Sequence, residues 1–276
     1  MQENTYFLGQ DVISSESELV RLAEQARQIQ EGILDIFPPA VDPSLVRRVL
    51  DIGSGSGDWA IEAAQAYPDC EVVGIDISEQ MVKYGQAEAG SRGILNVQFQ
   101  VMSALPPLSF PNGSFDVINS RFANSFVPQP LWGEVVREWK RVLRPGGKLI
   151  LTEMDLSITT SAAWGQLLSW IAQVFNSFGK GFSIGSVAVL GKLLSDAGFT
   201  NIERYPYFLD CSFGTKLYPR WKQHTSLIMY EIKPLVLRKL PVKEEQFEGV
   251  FEQAKSDMLS PDFCFVSFIL SAVGTA

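Results

Sequence analysis

A strand-like run, Val46–Ile52, passes into Gly53-Ser54-Gly55-Ser56-Gly57 and then into the helix-like stretch Asp58–Tyr67. Gly53 and Gly55 let the backbone bend tightly and let a ligand approach the main chain. The helix start beyond them offers unpaired N–H groups and the positive end of a dipole. A second β-rich run, Glu71–Ile77, carries Asp76 near its end. An acid about 20 residues past such a loop commonly receives ribose hydroxyls. A dinucleotide fingerprint would place its third glycine one position later, and Ser56-Gly57 breaks that spacing. Gly57 is left open between a ligand role and close helix–strand packing.

The elements that must position these residues follow from periodicity and punctuation. Ser15-Glu16-Ser17-Glu18 has the form of a capping box, and apolar steps of three and four continue from Leu19 to Ile36 before Pro38-Pro39. This predicts an amphipathic N-terminal helix. Ser78 caps a helix through about Ala89, Val97–Met102 and Phe115–Ser120 are strands, and Pro130–Leu143 is a helix. Arg144-Pro145-Gly146-Gly147 is a turn before a fifth strand, Lys148–Met154. Strands alternating with helices argue for an α/β sheet with mostly parallel strands. Farther on, helices are predicted over Ala162–Phe178, Val187–Ala197, Tyr218–Leu240 (interrupted at Pro219 and Pro234) and Lys243–Leu259. Asn201–Cys211 and Phe263–Ala272 read as strands.

Composition excludes several function classes. A net charge of −8 argues against nucleic-acid binding, because phosphate contact wants a basic face. One histidine rules out a three-histidine zinc site, and no metal site is expected. Three cysteines, Cys70, Cys211 and Cys264, are far apart and odd in number, which suits a reducing compartment. The start lacks a signal-peptide pattern. The longest apolar stretch, Phe263–Val273, is about half a membrane span. A cytoplasmic protein without an integral membrane segment is expected.

Four motifs occur in order between Val46 and Met154: VLDIGSGSG, VVGIDIS, LSFPNGSFDVI and RVLRPGGKLIL. With them the chain resembles the class I S-adenosylmethionine (SAM)-dependent methyltransferases, in the small-molecule branch of ubiquinone, menaquinone and sterol methyltransferases. The resemblance implies an α/β, Rossmann-like seven-stranded sheet of order 3-2-1-4-5-7-6, with Phe263–Ala272 the antiparallel strand and a helical cap. It implies one methyltransferase domain over 1–276: an N-terminal helical lid in 1–40, a SAM-binding core in 41–155, and a C-terminal half with cap insertions in 156–276. Asp51, Gly53, Ser54 and Gly55 would surround the methionine part of SAM. Asp76 would accept the ribose hydroxyls, Ile77 would lie against the adenine, and Met81 would cover its other face. Met102, Ser103 and Ala104 stand where the family often has an acid for the adenine amino group. Asn119 and Ser120 would lie beside the methionine tail and face the acceptor. Tyr6 would cover SAM, and Arg21 would reach its carboxylate.

The expected reaction is in-line displacement of the SAM methyl by a small, apolar acceptor, such as a specialised metabolite, quinone or lipid, with S-adenosylhomocysteine (SAH) as product. Catalytic residues stay unassigned. His224, the lone imidazole, has a pKa range suited to a base, and Glu153 follows the fifth strand. A bland reading stands beside each: surface histidine, and backbone-bonded carboxylate. The aromatics Phe122, Phe126, Trp164, Trp170 and Tyr207 are read as pocket lining or, more simply, as core. A SAM-binding fold without methyl transfer, of pericyclase-like type, and a nicotinamide-dependent oxidoreductase stay open as alternatives.

Overall fold

The computed structural model describes residues 35–155, 157–177 and 186–276, with the side chains of Ser186, His224, Ser226, Leu227 and Glu231 left aside. The N-terminal capping box, Tyr6 and Arg21 therefore lie outside the described residues, as does the side chain of His224.

Five parallel strands form the centre: β1 (Arg48–Ile52), β2 (Glu71–Asp76), β3 (Val97–Val101), β4 (Phe115–Arg121) and β5 (Leu143–Met154). They are followed by β6 (Ile158–Thr159), β7 (Thr200–Asp210) and β8 (Phe265–Thr275). The order is β3-β2-β1-β4-β5-β8-β6, and β7 also pairs with β8. Residues of β8 pair antiparallel with β5 and β7 at once, so these two lie on its opposite edges. The long strands thus run 3-2-1-4-5-8-7, the expected order with one addition. That addition, the two-residue β6, had no signal in its sequence and pairs with Val266 and Phe265 of β8.

Central parallel strands need apolar residues on both faces, and the alternation is visible residue by residue. Leu50, Ile52, Ile118, Leu149 and Leu151 enter one core with α3 (Trp132–Val142) and α5 (Leu190–Asp196). Val49, Val117 and Ile150 enter the opposite core with α1 (Asp58–Ala66) and α2 (Glu79–Ser91). The period of two puts a helix layer on each face. A third core joins α4 (Ala162–Ser177), α6 (Tyr218–Lys239) and α7 (Glu244–Asp257) to Leu209, Phe265 and Ile269. This is the cap, at the carboxyl edge of β5 and β7.

Two predicted features are corrected. Arg144–Gly147 is a bulge inside β5 and not a turn before it, because Phe115 pairs with Leu143 while Val117 pairs with Lys148. Helix α6 is not interrupted at Pro234. Met229, Ile232 and Val236 are buried around it, and that apolar face offsets the one missing ladder bond. Among the described residues no helix is long and apolar enough to cross a membrane.

Candidate functional site

The glycine loop leaves β1 at its carboxyl edge. The N–H groups of Gly53 and Ser54 both donate to the Ile75 carbonyl at 2.9 Å, which pins the loop to β2. Its three glycines meet different surroundings. A Cβ on Gly53 would stand 2.7 Å from the Phe126 ring. Gly55 has nothing within 4 Å of such a Cβ among the described residues and a φ of +53°, so of the three it is the glycine that leaves a cradle for another molecule. At Gly57 a Cβ would stand 2.6 Å from the Phe99 ring, as it would at Gly74. Gly57 therefore serves close packing, and Phe126 occupies the place that a side chain on Gly53 would take.

Asp76 closes the cradle. Its Oδ2 accepts the Gly55 N–H at 2.9 Å and its Oδ1 accepts the Ser78 N–H at 2.8 Å. Burial pushes the carboxyl above its ordinary value, and the N–H groups of Ser78, Gly55 and Ile77 oppose that push. Each carboxylate oxygen has further acceptor capacity, and two ribose hydroxyls are donors of the kind that would complete it. Ile77, 38% exposed, follows directly. Met81 is buried, and its N–H donates to Ser78 Oγ. The Met102 N–H donates to the Asp76 carbonyl at 2.9 Å. Ser103 Oγ accepts the Leu105 N–H, and the Ala104 carbonyl accepts the Trp139 indole N–H. The Ser103 hydroxyl is thus engaged in its own turn, and Ser54 Oγ is buried without a partner among the described residues.

Asp51 pairs in register with Asn119, so both side chains leave the sheet on one face, and Asn119 Nδ2 donates to Asp51 Oδ1 at 2.8 Å. Burial pushes Asp51 up to about 6 against the pull of Arg121 and Asn119, while Asp76 pushes it further. Asp51, Asp58 and Glu62 act electrostatically on Arg121. Three carboxyls thus act on one guanidinium, and Asp76 acts on Asp51 beside them, an acidic balance that suits a ligand carrying a sulfonium and an ammonium. Sequence reasoning missed Asp58 and Glu62; their positions in the first turns of α1, right after the loop, were the available signal. Ser120 Oγ donates to the Ile52 carbonyl at 3.0 Å and is fully buried. Its hydroxyl is thus engaged with the backbone of β1.

At the end of β5, Glu153 is buried, and its carboxylate accepts the N–H groups of Asn124 and Ala123. Burial outweighs those bonds and pushes it up to about 8. The turn that donates to it starts at Phe122, whose φ of +57° is strained for an aromatic residue and costs about 1–2 kcal/mol.

A linkage consequence follows. The folded chain holds the Glu153 proton more tightly than the unfolded chain, so this group's contribution falls as pH rises from its ordinary 4.5 toward about 8. Glu153→Gln should become more stable relative to the unaltered chain over that window, by up to about 1.4 kcal/mol per pH unit. Urea midpoints of both proteins measured at several pH values check this; a constant difference between them would contradict the buried proton.

The expected pocket aromatics divide. Trp164 and Trp170 are core residues, packed against Trp221 and Phe265 and against Phe247 respectively. Phe122, Met154 and Tyr207 are only partly buried against the cap core, and these present apolar surface near the strand ends.

Comparison with known proteins agrees with this arrangement. The methyltransferase-domain family matches residues 49–147. A methyltransferase of Strobilurus tenacellus is 32% identical over 145 residues, which is 52% of this chain and 48% of that protein. The chain thus matches about half the length of that relative. A demethylmenaquinone methyltransferase of Geobacillus kaustophilus is 31% identical over 183 residues, 58% of this chain and 74% of that one. In fold, the chain is similar to a geranyl diphosphate methyltransferase solved with SAM, with a TM-score of 0.51 and 19% identity over 98% of this chain and 94% of that one. It is likewise similar to a Haemonchus contortus phosphoethanolamine N-methyltransferase, with a TM-score of 0.53 and 18% identity over 95% and 58% of the two chains. The loop, the strand-end acid and the strand order are those that the sequence motifs led one to expect, and the chain belongs to the class I SAM-dependent methyltransferases of the small-molecule type.

Proposed function

We propose that the chain transfers the methyl group of SAM to a small apolar acceptor. The observation that carries the reading is the pairing of the open Gly55 with the half-buried Asp76, whose carboxylate accepts the Gly55 N–H. When bound, SAM supplies a methyl group on a cationic sulfur, and the acceptor displaces the sulfur in line. Asp76 would accept the two ribose hydroxyls, with Ile77 and Met81 toward the adenine side and Met102, Ser103 and Ala104 at its edge. Asp51, Asn119 and the backbone of Gly53 to Gly55 would hold the methionine part. Negative charge at that edge would favour a cation before transfer more than the neutral sulfur after it.

An apolar acceptor is supported by the half-buried Phe122, Met154 and Tyr207 beside the cap. It is also supported by similarity to demethylmenaquinone methyltransferases. The protein's share is approach geometry and exclusion of water. An acceptor that is already nucleophilic needs no base.

Calorimetry against SAM, SAH and NADH tests the first half. SAM and SAH should bind and NADH should not; failure of SAH to bind at millimolar concentration would remove the reading. Methyl-labelled SAM incubated with a metabolite extract tests the second, with label expected in an organic-soluble product.

A further inference from the structure

The turn after β4 joins observations that the reading above leaves unused. Phe122 stands in the left-handed region, with φ 57° and ψ 35°. Its N–H donates to the Thr152 carbonyl at 2.8 Å, and its carbonyl accepts Ser125 Oγ at 2.7 Å. The next two N–H groups, of Ala123 and Asn124, converge on the Glu153 carboxylate. The turn ends on Phe126, whose ring fills the space above Gly53. One side chain from β5 therefore gathers a strained turn, and the turn carries the aromatic that bears on the glycine loop.

Glu153 is 1% exposed. A carboxylate enclosed in this way meets no acceptor atom unless the turn opens. Its geometry is that of a fastener and not of a base. Without an acceptor for two N–H groups, the turn loses two of the bonds that offset the strain at Phe122, whose conformation aromatic residues avoid. Phe126 would then lift from Gly53.

We propose that Glu153 is a positioning residue that holds turn 122–126 against the end of β5, so that Phe126 stays seated on the glycine loop and cofactor affinity depends on a side chain that does not touch the cofactor. This rests on the methyltransferase reading.

Amide hydrogen exchange and SAH calorimetry on Glu153→Ala and Glu153→Gln test it. In Glu153→Ala, exchange at Ala123 and Asn124 should accelerate about tenfold or more, because their acceptor is gone. The SAH dissociation constant should rise about tenfold. Glu153→Gln keeps an oxygen that accepts N–H and should stay within about threefold on both. Adding Phe122→Gly to Glu153→Ala should recover SAH affinity, since glycine takes the left-handed conformation freely. A side chain that mattered only for packing would show no such rescue, because the second change removes further packing, the partly buried Phe122 ring.

Wild-type exchange and affinity in Glu153→Ala would overturn the proposal. So would a Glu153→Gln protein that binds SAH normally yet transfers no methyl group, an outcome that marks a base. Should Glu153→Ala not fold, Glu153→Asp withdraws the carboxylate by one carbon and should give the same losses. If the unaltered chain binds no SAH, the methyltransferase reading falls, and the exchange measurement still decides whether Glu153 holds the turn.

Discussion

Replacing Asp76 with alanine is expected to raise the SAH dissociation constant about 100-fold, equivalent to about 2.7 kcal/mol. The expectation comes from the double role of this carboxylate. It fixes the backbone at Gly55 and Ser78 through two N–H bonds, and in the proposed complex it receives two hydroxyls in addition. Hydrogen bonds to a charged group are worth about 1.5–3 kcal/mol each, so losing two of them at the low end of that range accounts for the size. Fold stability should fall far less, since water reaches the loop once the side chain is gone. Calorimetry at one pH, with circular dichroism to check folding, reads both quantities. A loss below about fivefold would show that the ribose is held elsewhere.

The largest effect on stability is expected at Phe99, a buried residue of β3. Its ring lies where side chains on Gly57, Gly74 and Gly85 would stand, at 2.6, 2.6 and 3.2 Å from their added Cβ atoms. Three backbones from the loop, β2 and α2 thus close around one ring. Phe99→Ala would leave a cavity that none of the three glycines has a side chain to fill, and should cost about 3–5 kcal/mol. That is a large part of the about 5–15 kcal/mol by which a domain is stable. Gly74→Ala overpacks the same place and should cost about 1–3 kcal/mol. Combining it with Phe99→Leu should cost less than the sum of the two single changes, because a smaller side chain yields room to the new methyl. Urea unfolding of the four proteins measures the coupling. Simple additivity would mean that the ring does not fill the space between these backbones.

The part of the fold that was legible in the sequence is the part where backbone demands and residue type coincide. Val49–Ile52 is apolar at every position but Asp51, as a strand buried on both faces must be. Ser78 caps the predicted helix through its hydroxyl. The order of the long strands came from resemblance, and the alternation of strands and helices from periodicity. What was hidden depends on contacts between distant residues. Nothing local in Gly53 says that its space belongs to Phe126, or in Gly57 that it belongs to Phe99. Arg144–Gly147 has the composition of a free turn, and only the pairing of Phe115 with Leu143 makes it a bulge. Pro234 breaks a helix in isolation but not one whose flanking residues are held by a core. At the proposed site, Asp76 was legible from its spacing past the glycine loop and Asp51 only through the family resemblance. The turn at 122–126 was not, since a left-handed aromatic residue has no sequence signature.

The cap core contains none of the loop residues. On the β5–β8 pair, Ile150 and Val273 belong to the core beneath α1 and α2, and Ile269 belongs to the cap. Between them lie Thr152 and Ser271, whose hydroxyls bond to each other at 2.7 Å. A polar pair is a poor conductor of repacking, because neither partner can be shifted without losing the bond. Trp164, Trp221 and Phe265 lie on the cap side of that pair, and the cap core meets the turn that bears on the glycine loop at Phe122. On the proposed reading, changes that refit the cap to another acceptor would leave the loop, its aromatic buttress Phe126 and its strand-end acid Asp76 in place.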